Sequence, residues 1–185
     1  NCHGNRVENC VMSDLGAGGV KIGLTRFEQN PQLITDHQII RNNIIAHGGR
    51  LHPAAIGVWI GNSPNNIVEH NDIFDVYYTG ISVGWTWGYG ESLNRNNIIE
   101  HNLIHGIGRN RGEMPILSDM GGIYILGGRA GTIVRNNVIH DVAAVKYGGW
   151  GIYLDEGTSD TLITNNLEDK LATYRGQSSL RTWCA

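Results

Sequence analysis

The stretch Ile40-Arg-Asn-Asn-Ile44 decides the fold, because versions of it recur along the whole chain. Each of the six copies begins with Val or Ile, and five of them carry Asn at the fourth position. The fourth positions lie 28 to 35 residues apart, at Cys10, Asn43, Asn71, Asn102, Asn137 and Asn166. A period of this size is typical of a solenoid.

A second phrase lies between successive copies of the first and alternates with period two. Its clearest examples are Gly57-Val-Trp-Ile-Gly61 and Gly122-Ile-Tyr-Ile-Leu126. In a strand this alternation turns the aliphatic residues inward and the residues between them outward. The predicted outward residues are Lys21, Trp59, Ser82, Tyr124 and Tyr153.

These phrases predict an all-β fold, a right-handed parallel β-helix of about five to six coils. Helical repeats are excluded because the chain lacks an apolar stripe at helical spacing, and Asn-Asn and Gly-Gly pairs weaken helices. The fourth-position Asn residues are interpreted as a structural ladder at a corner of the coil. The histidines near them, such as His70 and His101, are interpreted as stacking residues.

The repeat predicts coils over residues 1–167 and an irregular segment over residues 168–185. After Leu167 the sequence has no Asn pair and no inward-outward alternation. We therefore expect a fragment of a longer solenoid with a truncated or frame-shifted end.

Composition restricts the partners. The 185 residues carry a net charge of −3, and the basic residues are scattered, which argues against nucleic acid. No apolar run is long enough to span a membrane. The Asp and His residues show no metal-ligand spacing, so no cofactor is expected, although calcium stays open. A polysaccharide or oligosaccharide fits best, and the oligomeric state is not predicted.

Aromatic residues concentrate in or beside the predicted outer strands. An aromatic ring can pack against the apolar face of a sugar while polar neighbours bind its hydroxyl groups. The candidates for this role are Trp59, Trp85, Trp87, Tyr124, Trp150 and Tyr153. Tyr77, Tyr78, Tyr147 and Trp150 could equally anchor loops over the coil.

Four carboxyl groups are candidate catalytic residues: Asp119, Asp141, Asp155 and Glu156. Cleavage of a glycosidic bond typically uses one carboxylic acid and one carboxylate. With Gly122 and Gly151 in register, Asp119 and Asp155 would lie roughly 20 Å apart along a straight strand. A direct pair therefore requires a bend in the chain, and the pairs Asp119 with Asp141 and Asp155 with Glu156 stay open.

The repeat resembles the pectin-lyase-like superfamily of right-handed β-helix proteins. The stretches Asp119-Met-Gly-Gly-Ile-Tyr124 and Tyr147-Gly-Gly-Trp-Gly-Ile-Tyr-Leu-Asp-Glu-Gly157 are similar to bacterial β-helix glycoside hydrolases with fucosidase and xylanase activities. The resemblance implies a catalytic pair of aspartates, here Asp119 and Asp155, and a secreted, cell-surface or periplasmic full-length protein. The alternatives are a polysaccharide lyase or epimerase, and a non-catalytic glycan-binding β-helix of the adhesin type.

Overall fold

A computed structural model describes residues 1–108, 115–128, 130–173 and 182–184 of the chain. Among these residues the chain forms eighteen strands, β1 to β18 in chain order, and one short 3-10 helix at Pro31–Leu33. The strands form three parallel sheets of six, and each coil contributes one strand to each sheet. The predicted parallel β-helix is confirmed.

The first sheet contains β1 (Arg6–Glu8), β4 (Ile39–Arg41), β7 (Ile67–Glu69), β10 (Ile98–Glu100), β13 (Ile133–Arg135) and β16 (Leu162–Thr164). The second sheet contains β2 (Val11–Met12), β5 (Ile44–Gly48), β8 (Asp72–Val76), β11 (Leu103–Ile107), β14 (Val138–Ala144) and β17 (Leu167–Thr173). The third sheet contains β3 (Val20–Gly23), β6 (Val58–Gly61), β9 (Ile81–Gly84), β12 (Gly121–Leu126), β15 (Trp150–Asp155) and β18 (Thr182–Cys184).

The core lies inside the coil and consists mainly of stacked Ile and Val side chains, such as Ile60, Ile73 and Ile123, which are fully buried. β-branched residues suit this position because they pack well on a pleated surface and on their counterparts one coil away. The aliphatic residues of the second phrase point inward, as the alternation predicts.

The corner between the first and second sheets consists of two residues with different roles. The third residue of the repeated phrase takes the left-handed conformation, for example Asn42 at φ 55° and His101 at φ 55°. The fourth residue turns its side chain inward and forms the predicted ladder, in which the Asn71 amide nitrogen donates to Oδ1 of Asn102 at 3.0 Å. The third residue thus turns the chain, and the fourth-position Asn provides hydrogen-bond partners for the polar groups buried at the corner.

The structure differs from the sequence analysis after Leu167. The sequence predicts an irregular segment, whereas residues 168–173 continue β17 in register with β14, and β18 pairs with β15. Strand β14 presents unpaired backbone groups, and these align a following segment even where it lacks the repeat's side-chain pattern. The domain boundary at residue 167 stays a prediction.

Candidate functional site

The outer face of the third sheet carries a column of side chains that run parallel to the solenoid axis. Register pairs Lys21 with Trp59, Trp59 with Ser82, Ser82 with Tyr124, and Tyr124 with Tyr153. These are the five residues that the sequence predicts to face outward, so their alignment is confirmed. The column crosses five coils and takes one side chain from each. A cation, an indole, a hydroxyl and two phenols therefore follow one another at a regular spacing.

Tyr124 and Tyr153 form the centre of the candidate site. Their rings are stacked, with centroids 4.5 Å apart and planes 5° from parallel. The Tyr124 hydroxyl donates to Oδ2 of Asp155 at 2.5 Å, and the Tyr153 hydroxyl donates to Oδ1 of Asp119 at 3.2 Å. Each tyrosine therefore binds the aspartate that belongs to the other coil.

The chain bends at Asp119, which brings this residue to the tyrosines. Asp119 has φ 59°, and its amide donates to the carbonyl of Tyr147 at 2.6 Å. Its own carbonyl accepts a hydrogen bond from the Tyr78 hydroxyl at 2.6 Å. Asp is one of the few residues other than Gly that adopt this left-handed conformation readily. Because of this bend and the length of the tyrosine side chains, Asp119 and Asp155 lie closer together than they would along a straight strand.

The two carboxyl groups lie near each other. Since each bonds to a hydroxyl of the same stacked pair, Asp119 and Asp155 are at most roughly 10 Å apart, an upper limit that includes the separations of glycosidase carboxyl pairs. Asp119 is exposed and Asp155 is half-buried, so both are accessible from solvent.

The surroundings favour the protonated form of Asp119. Desolvation by neighbouring protein atoms raises its pKa above the ordinary value, the hydrogen bond from Tyr153 opposes this effect, and the charge of Asp155 adds to it. Burial also raises the pKa of Tyr124 and Tyr153, and the nearby aspartates raise it further. Both hydroxyls therefore remain protonated hydrogen-bond donors at neutral pH.

Trp85 connects this centre to the rest of the column. Its indole nitrogen donates to Oγ of Ser82 at 3.0 Å, so the ring covers the coil where the column has only a small side chain. The ring lies 6.1 Å from that of Trp59 and 6.3 Å from that of Tyr124, measured between centroids. Trp85 has φ 69°, a conformation that is costly for a bulky residue and is often found at ligand-binding sites.

The predicted sugar-binding aromatics divide into two groups. Trp59 and Trp85 are half-buried and Trp87 is 60% exposed, so their rings are accessible. Tyr124, Tyr153 and Trp150 are 4%, 1% and 7% exposed, because they pack against one another. Little of the last three rings is therefore available to stack on a sugar, and the hydroxyl groups of Tyr124 and Tyr153 bond to the two carboxyl groups instead.

The other two predicted carboxyl groups lie apart from the tyrosine pair. Glu156 follows Asp155 and is exposed, and its side chain faces the backbone of Gly88. Asp141 lies on β14 in the second sheet, where its Oδ2 is 2.7 Å from Nδ1 of His140. The structure thus brings together Asp119 and Asp155 but not Asp119 and Asp141.

Two further tyrosines contact this site, Tyr78 and Tyr147, for which the sequence left sugar contact and loop anchoring equally open. Tyr78 holds the Asp119 backbone, and the Tyr147 hydroxyl lies 2.8 Å from that of Tyr153. Both lie in connections that differ from coil to coil, so the repeat gives no signal for their direction. The long connection between β11 and β12, which contains Asp119, lies partly outside the described residues.

Within the described ranges, no group of three or more His, Cys, Asp or Glu residues lies close enough together to hold a metal ion. The same part of the chain contains no helix long and apolar enough to cross a membrane.

The chain belongs to the family of right-handed β-helix proteins, whose family model, described as a right handed beta helix region, matches residues 1–167. A solved structure described as a glycoside hydrolase is similar, with 25% sequence identity and a TM-score of 0.72. The similarity covers 92% of this chain and 31% of that protein, so this chain spans less than a third of its length. Comparison with curated protein sequences finds no significant match.

Proposed function

We propose that this chain carries the catalytic surface of a glycoside hydrolase that acts on a polysaccharide or oligosaccharide. The observation that carries the proposal is the tyrosine pair, which holds Asp119 and Asp155 in one accessible site. The similar solved structure described as a glycoside hydrolase supports it. Since cell-wall polysaccharides lie outside the cell membrane, the proposal includes a secreted, cell-surface or periplasmic full-length protein.

In this proposal Asp119 is the general acid. Its raised pKa keeps the carboxyl group protonated to higher pH than an ordinary aspartate, so it can donate a proton to the oxygen of the departing sugar. Asp155 acts on the other side of the bond, as the base that activates water or as the nucleophile. Tyr124 orients Asp155 by donating to one oxygen, which leaves the other oxygen available for the reaction. No cofactor takes part.

The test is hydrolysis of a panel of plant and microbial polysaccharides by the wild-type chain and by Asp119→Asn and Asp155→Asn. Asn is the correct replacement at position 119 because it keeps the shape of the side chain and tolerates φ 59°. Each variant should lose about 10²–10⁴-fold in kcat/KM, the usual contribution of a positioned acid or base. Asp160→Asn is the matched control, because Asp160 is exposed and also left-handed, with φ 52°.

Wild-type rates in both variants would reject the assignment of the pair. A product with the ultraviolet absorbance of an unsaturated sugar would instead identify a lyase. Binding without turnover across the whole panel would identify a non-catalytic glycan-binding β-helix.

A further inference from the structure

A pocket lies at the opposite end of the aromatic column from the two aspartates. It has a volume of about 370 Å³ and is formed by the connections that precede β3 and β6 together with Lys21, Trp59 and Trp85. We refer to it as the Lys21 pocket. Its volume lies within the range of small-molecule sites, roughly 300–1,000 Å³.

The sequence keeps this space open in two ways. Ala17, Ala54 and Ala55 line it with small side chains, and Gly18 and Gly19 let the backbone of the next coil approach, since a Cβ atom there would lie 2.1 Å from the Ile56 carbonyl oxygen and 2.8 Å from that of Gly57. Trp59 is fixed beside it, because its ring lies over Gly61, where a Cβ atom would be 2.1 Å from the ring. The pocket is therefore formed before a ligand arrives, which reduces the entropy cost of binding.

Lys21 is the charged residue that lines the pocket. Its ammonium group lies 4.9 Å from the centroid of the Trp59 ring and, among the described residues, no carboxylate forms an ion pair with it. A free cation beside an aromatic ring suits a ligand that has both a negative charge and an apolar face. A sugar that carries a carboxylate has both features.

The pocket is continuous with the candidate catalytic centre. The Trp85 ring lines the pocket and lies 6.3 Å from the Tyr124 ring, between centroids. Lys21 and Tyr124 are three register steps apart along the column, which corresponds to roughly 14 Å at about 4.8 Å per strand. A short saccharide chain laid along the solenoid axis would reach both.

We propose that the Lys21 pocket binds the carboxylate of a uronic-acid unit that lies several sugars from the bond to be cleaved. The substrate class is therefore an acidic oligosaccharide bound along the solenoid axis. Charge sets its direction: Lys21 attracts the carboxylate, and Asp119 and Asp155 repel it at the other end. The catalytic part of this assignment rests on the proposed function, whereas the binding part does not.

The experiment measures the binding of galacturonic-acid and glucuronic-acid oligosaccharides, and of their carboxyl-reduced neutral counterparts, by calorimetric titration. The acidic ligands should bind the wild-type chain at least tenfold more tightly than the neutral ones, because a charge-assisted hydrogen bond contributes at least that factor. Lys21→Met should abolish this preference and leave neutral binding unchanged, and Lys21→Arg should retain it. Trp59→Ala should weaken the binding of both ligands. Added salt should weaken only acidic binding.

Equal affinity for acidic and neutral ligands, unchanged acidic binding in Lys21→Met, or no binding of any acidic ligand would each overturn the proposal. Its failure is distinguishable from failure of the hydrolase assignment. Asp119→Asn should bind the acidic ligands at least as tightly as the wild type does, because the change removes a negative charge that repels them and leaves Lys21 in place. Lys21-dependent binding without any hydrolysis would reject the hydrolase and leave the acidic-saccharide site in place.

Discussion

Two columns of side chains run along this solenoid, and they use hydrogen bonds in opposite ways. In the corner column, which we call the Asn ladder, Asn43, Asn71, Asn102 and Asn137 are at most 2% exposed. The amide oxygens of Asn71, Asn102 and Asn137 accept from the Asn of the preceding coil, and that of Asn43 accepts from the Cys10 backbone amide. Each amide nitrogen donates to the Asn of the following coil and to a backbone carbonyl. The ladder satisfies itself and leaves no group for a ligand.

The column on the third sheet changes its residue type from coil to coil. Tyr124 and Tyr153 are stacked like the asparagines, but their hydroxyl groups bind Asp155 and Asp119 instead of each other. Residues repeated on every coil bond to themselves and stabilise the solenoid. Where the repetition ends, the same backbone register presents side chains whose hydrogen bonds reach the carboxyl groups of the proposed site.

The largest effect on stability should come from breaking the Asn ladder in its middle with Asn102→Ala. This change removes the side-chain partner of the Asn71 backbone amide, of the Val68 carbonyl and of the Asn137 amide oxygen, and it removes one of the three acceptors of the Asn71 side-chain amide. We expect a loss of about 3–5 kcal/mol in the free energy of unfolding, since each orphaned group costs about 1–3 kcal/mol. Urea denaturation followed by circular dichroism measures it.

The matched control for this prediction is Asn165→Gly, at the left-handed corner position that directly precedes the fourth-position residue Asn166. Asn165 is exposed and has φ 55°, which Gly adopts without strain, so the change should stay within about 0.5 kcal/mol. Similar unfolding midpoints for both variants would show that the ladder does not stabilise the coil.

An intermediate effect is expected at the tyrosine pair, in the titration of Asp119. Its pKa should lie above the ordinary 3.8. Asp155→Asn should lower this pKa because it removes a neighbouring negative charge, and Tyr153→Phe should raise it because it removes a hydrogen bond to the carboxylate. Carboxyl-carbon NMR measures the three midpoints, with Asp160 as an internal reference in each sample. Identical midpoints in all three proteins would show that the carboxyl groups are not coupled.

The raised pKa of Asp119 also makes the free energy of unfolding depend on pH in a definite direction. The folded chain binds the Asp119 proton more tightly than the unfolded chain does, because its folded pKa is the higher one. The resulting contribution is fully present below the unfolded pKa and is lost as pH rises through the folded pKa. Solvent access to Asp119 keeps the contribution small.

The repeat made the fold and the columns predictable. Aligning the copies of one phrase also aligns residues in space, because successive coils stack in register. This is why Lys21, Trp59 and Tyr124 could be placed on one face from sequence alone, and why the ladder of Asn71 and Asn102 could be recognised as structural.

The convergence of the site was not predictable in the same way. It depends on the bend at Asp119 and on the direction of Tyr78, both in connections that do not repeat. Burial of Tyr153 and Trp150 was also missed, because alternation shows which face a residue occupies but not what covers it. In this solenoid the repeating residues could be read from the sequence, and the non-repeating residues needed coordinates.

The smallest effect is expected for Asp141→Asn, which tests whether position in a column decides the role of a carboxyl group. Asp141 lies on the second sheet between the register pairs His105–His140 and Ile107–Val142, and it is left-handed with φ 55°. Asn tolerates this conformation, so the fold should be unchanged, and the Nδ1 atom of His140 keeps an amide oxygen or nitrogen as its neighbour. Hydrolysis by Asp141→Asn should stay within about twofold of the wild type, far from the 10²–10⁴-fold loss expected of a catalytic acid. A loss of that size would place a catalytic carboxyl group on the second sheet and would contradict the separation of the two columns.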